Sequence, residues 1–312
     1  MTAPDFCANL MRGNEVTMKK SLYTVLILTA GVLWGMMGVF VRALEAYGYT
    51  SMQISAVRLA SGTLFLWIYV LAFARDKMRV RPAKLPVLAA MGIFSVFLMS
   101  YTYFSAILYS SLSVAAILLY TAPIWVVLSS AIFYREKLTA RKIGALCLAF
   151  GGCVAVSGGG QGAGALGILF GLGAGLTYAL YSIIGKGALE DCHPITVTLY
   201  AFTFATLAAL CFAPPTELFT VARAAQDPVF LLFLALATGL FTVTLPYLFY
   251  TLGLAHTPAG KASIMASVEP AVATLAGILF FKERPTLPAL LGIAAIFAAI
   301  LLLNLRADEK NP

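Results

Sequence analysis

Glu269 stands in the run Ser267-Val268-Glu269-Pro270, inside an apolar stretch long enough to cross a bilayer. An unpaired charge at that depth costs about 2.5–3.5 kcal/mol or more on insertion scales, so such a group faces water, a partner or a substrate. Pro270 removes one helical hydrogen bond and leaves a carbonyl free beside the acid. Two readings follow. Either Glu269 exchanges a proton with, or binds a positive group in, a wet cavity, or it ties two helices together. Arg58 lies within the second apolar stretch, about one turn from its end. It either snorkels to the surface or meets an acid or an anionic substrate group. Lys261 opens the ninth stretch beside His256, and Lys186 closes the sixth. Both read first as interfacial anchors, with carboxylate binding as the alternative. Arg58 and Lys261 are thus the candidate charge partners.

Aromatic residues give the second set of candidates. Trp34 and Tyr178 each follow a glycine (Gly31, Gly175) by three residues, and a shift of 144 relates them. Tyr103 and Tyr250 are related by a shift of 147, with Tyr101 and Tyr247 close by on the same predicted hairpins. If one member of a related pair lines a central cavity, its mate should too. The alternative is packing or an interfacial belt, which the mid-stretch position of Trp34 and Tyr178 disfavours.

Other chemistries find no support. Ala255-His256-Thr257-Pro258-Ala259-Gly260-Lys261-Ala262 has the lysine spacing of a phosphate loop but neither its first glycine nor its final Ser/Thr. Five scattered cysteines suggest neither a zinc site nor a disulfide framework, and His193 and His256 are the whole histidine complement. No cofactor, metal site or enzymatic constellation is expected. The net charge of +8 is spread over short connectors, which argues against a nucleic-acid partner.

The elements that must hold these residues are membrane helices. The chain is 61% hydrophobic and 11% charged, with mean hydropathy +0.92, against roughly 25% charged for soluble domains. Ten apolar stretches can be marked, at 22–41, 54–74, 86–108, 114–134, 143–157, 165–185, 195–213, 229–254, 262–281 and 287–305. They fall into two copies of one unit. Ala115-Ala116…Pro123…Arg135-Glu136-Lys137-Leu138-Thr139 recurs 147 residues later as Ala262-Ser263…Pro270…Lys282-Glu283-Arg284-Pro285-Thr286. The expected organisation is a cytoplasmic tail (1–20), a first repeat (21–158), a Gly-rich linker (159–164), a second repeat (165–305) and a second tail (306–312).

With the N-terminus inside, sixteen Lys/Arg fall on the inner side and four (Arg42, Arg223, Lys282, Arg284) on the outer, a strong positive-inside bias. Both termini are therefore expected in the cytoplasm. Five spans per copy is odd, so the copies enter the membrane from opposite sides. The expected fold class is an all-α integral membrane protein of ten transmembrane helices in two inverted five-helix repeats. Small-solute transporters are commonly built this way and work by alternating access. Pro123 and Pro270 are repeat mates and Pro246 interrupts the eighth stretch; all three are candidate hinges.

Trp34-Gly35, Arg58, Pro123, Glu136, Glu269-Pro270 and Glu283 together resemble EamA-type members of the drug/metabolite transporter superfamily, over residues 22–305. The resemblance implies a multi-pass protein of the bacterial cytoplasmic membrane that exports amino acids, related metabolites or toxic organic compounds. Superfamily branches that carry nucleotide sugars commonly place basic residues in the cavity. Arg58 is the one clearly intramembrane cation here, which disfavours a strongly anionic cargo. The expected partners are a small-molecule substrate and the lipid bilayer, with proton coupling through Glu269 and a monomeric or homodimeric state.

Overall fold

The structure is a computed structural model that describes residues 21–110, 112–157, 164–282, 284 and 286–304. The tails at 1–20 and 306–312 and the linker up to residue 163 lie outside the described residues. Every regular element among the described residues is helical. In chain order the main helices are α1 (Ser21–Glu45), α2 (Ser51–Phe73), α3 (Pro82–Tyr109), α4 (Val114–Phe133), α5 (Ala140–Val156), α6 (Ala165–Ala188), α7 (Pro194–Phe212), α8 (Pro228–His256), α9 (Ala259–Phe281) and α10 (Leu287–Leu303). Eight of these are long and apolar enough to cross a membrane; α5 and α10 are shorter. A surface helix, Pro215–Arg223, joins α7 to α8.

Helix starts follow local signals. Thr50 and Gln53 form a reciprocal capping box that begins α2 at Ser51, ahead of the apolar run. Arg58 is therefore about two turns inside the helix, deeper than the one turn expected. Thr139 caps α5 through the Lys142 N–H, so that helix begins at Ala140 rather than 143. After Pro258, α9 begins at Ala259, which puts Lys261 inside its first turn.

Backbone irregularities recur with the 147-residue shift. Helix α4 is interrupted after Leu119 and resumes at Ala122; α9 is interrupted after Ala266 and resumes at Glu269. Pro123 and Pro270 each occupy the second position after the break, where a missing N–H costs little. Arg135 (φ 51) and Lys282 (φ 54) share the left-handed conformation. Widened π turns occupy Met91–Phe97 in α3 and Leu240–Thr244 in α8. Pro246 follows the second of these, where the widened turn relieves the clash a proline makes with the preceding turn.

Glycines let the backbones touch. A Cβ added at Gly31 would lie 2.5 Å from Val268, and one at Gly175 would lie 2.5 Å from the Leu118 carbonyl. In both places the first helix of a copy sits on the broken helix of the other. Gly152 and Gly292 join α5 to α10, each too near the other's carbonyl (2.7 and 2.6 Å from an added Cβ) for a side chain.

Candidate functional site

A cavity of about 610 Å³ opens at one end of the helix bundle. Its mouth carries Arg42 and Glu45 from the end of α1, Ser157 just after α5, and Arg284 and Thr286 before α10. It reaches inward to Trp34, Arg58, Tyr178, Tyr247 and Glu269, which stand well inside their helices.

Glu269 reaches this floor because it opens the second half of α9. The break at Ser267-Val268 turns the chain there, and the carboxylate accepts a hydrogen bond from Tyr178 Oη on α6 at 3.2 Å. Trp34 packs edge-on to Tyr178 and Tyr247, with ring centroids 6.4 and 4.8 Å away. Arg58 is 9% exposed and does not snorkel. It lies within electrostatic range of Tyr247, Glu269 and Tyr178. Tyr103 and Tyr120 add two more rings to the wall.

Of the sequence-derived candidates, Trp34, Arg58, Tyr103, Tyr178, Tyr247, Glu269 and Pro270 meet in this one cavity. The others lie elsewhere. Tyr101 is 39% exposed and packs on Phe212 at the periphery, because it points away from its neighbour Tyr103 on the same helix. Tyr250 is buried beyond the cavity floor, sharing a hydrogen bond of 2.7 Å with Ser182 and lining a void of about 30 Å³ together with Pro123. The expected equivalence of Tyr103 and Tyr250 therefore fails. A cavity that stops at the helix midpoints is shared only by mates at the midpoint, as Trp34 and Tyr178 are. Pro246 is buried but lines neither space, and Lys261 belongs to the opposite end of the bundle.

Ser55 and Tyr120 were missed by sequence reasoning. Ser55 stands three residues before Arg58 on the same face of α2. Serines in membrane helices commonly turn back onto their own backbone, as Ser61 does onto the Val57 carbonyl at 2.7 Å, so a serine alone carries little signal.

At the end opposite the mouth the bundle is closed by polar contacts. Lys186 Nζ donates to the carbonyls of Leu254 (2.9 Å), Ala255 (3.4 Å) and Thr257 (3.1 Å) where α8 ends. Glu136 accepts from the Ala259 N–H at 2.8 Å and pairs with the buried Lys142. Tyr134 Oη donates to the Ile183 carbonyl at 2.5 Å. Farther out Lys84 pairs with Asp191, and that hydrogen bond holds the Asp191 carboxyl below its usual range. The Glu136–Ala259, Tyr134–Ile183 and Lys84–Asp191 contacts bind residues 21–158 to residues 165–305 at this end, while at the mouth end Tyr49 Oη donates to the Leu218 carbonyl at 3.3 Å and Gln53 Nε2 to Glu217 at 3.4 Å.

The sequence model of the EamA-like transporter family matches residues 21–158 and 165–305. The chain belongs to that family. A transporter of Archaeoglobus fulgidus is 28% identical over 289 residues, covering 91% of this chain and 98% of that protein. Transporter YxxF of Bacillus subtilis is 28% identical over 300 residues, covering 94% and 92%. The threonine/homoserine exporter RhtA of Escherichia coli K12 is 28% identical over 265 residues, covering 82% and 83%. A solved crystal structure at 20% identity superposes with a TM-score of 0.76, covering 91% of this chain and 97% of the other, and so shares the fold. This EamA-like protein is a multi-pass membrane transporter of the drug/metabolite superfamily and not an enzyme. The 610 Å³ cavity is large enough to enclose a small solute.

Proposed function

We propose that the protein is a secondary transporter that exports or exchanges amino acids and related small metabolites across the bacterial cytoplasmic membrane. In this reading α1–α10 all cross the bilayer, residues 21–158 and 165–305 are inverted repeats joined by the linker 159–164, and both termini are cytoplasmic. The observation that carries it is a one-ended cavity with a buried acid at its floor and a polar seal behind it. The matching helix breaks, π turns and left-handed residues support the repeat, since each recurs at the same offset. The inward excess of Lys and Arg supports the orientation, which makes the open mouth the outer face.

Alternating access then has a concrete form. Lys186 closes the inner face by reaching the carbonyls that end α8. Its repeat mate is Arg42, for which the corresponding stretch ends α3 near Ile107. Arg42 and Ile107 both line the open mouth. At the mouth Arg42 lies over the Phe281 ring, 4.1 Å from its centroid, whereas Lys186 grips the end of α8 at the other face, an asymmetry of the kind that two states related by inversion require. Glu269, with Tyr178 at its side, is the residue assigned to carry a proton or a positive substrate group. Threonine and homoserine, named for the relative RhtA, are the first cargo to test.

The experiment is counterflow in proteoliposomes loaded with unlabelled amino acid and given trace radiolabelled threonine, phenylalanine, methionine, cysteine or lysine. The expected result is transient accumulation of one or more labels, abolished by excess cold substrate. Absence of accumulation from folded, reconstituted protein overturns the amino-acid assignment and turns attention to organic cations, for which Glu269 is the natural partner.

A further inference from the structure

Three hydrogen-bond donors at the cavity floor are buried without a partner among the described residues: Arg58 Nε, Ser55 Oγ and Trp34 Nε1. Their residues are 9%, 2% and 5% exposed and all three line the same cavity through other atoms; the donor atoms themselves are covered, so an acceptor in the cavity meets them only once the side chains around them shift. Leaving a buried donor unmet costs about 1–3 kcal/mol, more for a charged group, and such groups are rare in folded proteins. Three in one place call for an acceptor that arrives from outside.

Their arrangement describes that acceptor. Ser55 and Arg58 are three residues apart on α2 and project from one face. Trp34 comes from α1 and shares the Tyr247 ring with Arg58 as a neighbour. Arg58 is the cation at this depth, so the visitor carries a single negative charge, and a planar guanidinium favours a planar oxyanion. Glu269 faces the same cavity from α9 but spends its hydrogen bond on Tyr178 and forms no ion pair with Arg58. An acid that close disfavours a dianion such as a phosphate ester. It also offers a place for a positive group some way from the negative one.

We infer that Arg58, Ser55 and Trp34 form a carboxylate-recognition subsite, which seats the carboxylate of a zwitterionic substrate while Glu269 faces its ammonium group. The inference rests on the transport reading above and sharpens it from small metabolites to solutes bearing one free carboxylate. Arg58 supplies the charge, and Ser55 and the Trp34 N–H fix the orientation of the oxygens.

The test is a thermal-shift titration of the detergent-purified full chain with L-threonine, L-lactate and n-butyrate, each against its primary amide. Carboxylates are expected to raise the melting temperature, with threonine the strongest and the amides inert. In Arg58→Gln the shift is expected to vanish, and in Arg58→Lys to return in part. Ser55→Ala and Trp34→Phe, which keep the size of the serine and an aromatic ring, are expected to weaken threonine about ten- to hundredfold each, the effect of losing one hydrogen bond to a charged group. Equal shifts from acids and amides, no shift from any compound, or full retention in folded Arg58→Gln overturns the subsite. Carboxylate shifts that are lost in Arg58→Gln, without threonine counterflow, uphold the subsite and overturn the amino-acid transport reading instead.

Discussion

At the scale of single residues, the proposed chemistry rests on the side chains at the cavity floor. Glu269 is held by one hydrogen bond from Tyr178, and nothing else among the described residues bonds its carboxylate. If it exchanges a proton with the cavity, Glu269→Gln will abolish pH-driven flux while exchange between equal pools continues. Flux measured with and without an imposed pH gradient decides this, and persistence of both makes the acid structural. Tyr178→Phe keeps the ring against Trp34 but frees the carboxylate. It is expected to alter the pH dependence of flux while leaving the folded yield within about twofold. The sequence singled out Glu269, Arg58 and Trp34 because charge and indole are conspicuous in apolar stretches. Ser55 was not legible, since what distinguishes it is a missing partner, and a partner is a tertiary fact.

Helices supply the placement, through breaks and through glycine contacts. Pro123 and Pro270 mark the breaks in α4 and α9, which the sequence could point to from the proline pairing. The π turns were not readable, because hydrogen bonding of i→i+5 type leaves no period in a run that is apolar on all sides. Gly92, in the first π turn, approaches the Ala201 carbonyl closely, and its repeat mate Gly239 approaches Ser61 and Gly62 in the same way. Gly92→Ala and Gly239→Ala are each expected to destabilise the protein by about 1–3 kcal/mol through overpacking. Gly151→Ala, with nothing within 4 Å of an added Cβ and a place inside the α5 helix, serves as the control and should leave the melting temperature unchanged or slightly raised. Equal melting temperatures for all three in detergent would show that these contacts yield without cost.

At the scale of the molecule, the two faces differ although their parts are related. The seal at Lys186 and Glu136 lies at one end of the bundle and the cavity opens at the other. In a cysteine-free background, Thr274→Cys on the cavity wall should react with a membrane-impermeant thiol reagent from outside. Ser263→Cys, beside the small void behind the floor, should not. Lys186→Ala removes three hydrogen bonds from the seal and is expected to raise labelling of Ser263→Cys from the inner face several-fold. Unchanged labelling would mean that Lys186 packs the helix end without closing the path.

Hydropathy and self-similarity along the chain determined the membrane class, the helix count to be sought and the two-copy pattern. Those properties depend on residue type and spacing, and every long apolar run must satisfy its backbone within a helix. The choice among the tyrosines came only with the tertiary structure. Tyr101 and Tyr103 are indistinguishable in hydropathy, yet a helix turns them about 200° apart, so one lies at the exposed periphery against Phe212 and the other lines the cavity. Tyr103 and Tyr250 are mates in sequence, yet the cavity fills one half of the bundle and reaches just one of them. Which face is open, and which buried donors are left waiting, depends on how ten helices pack together.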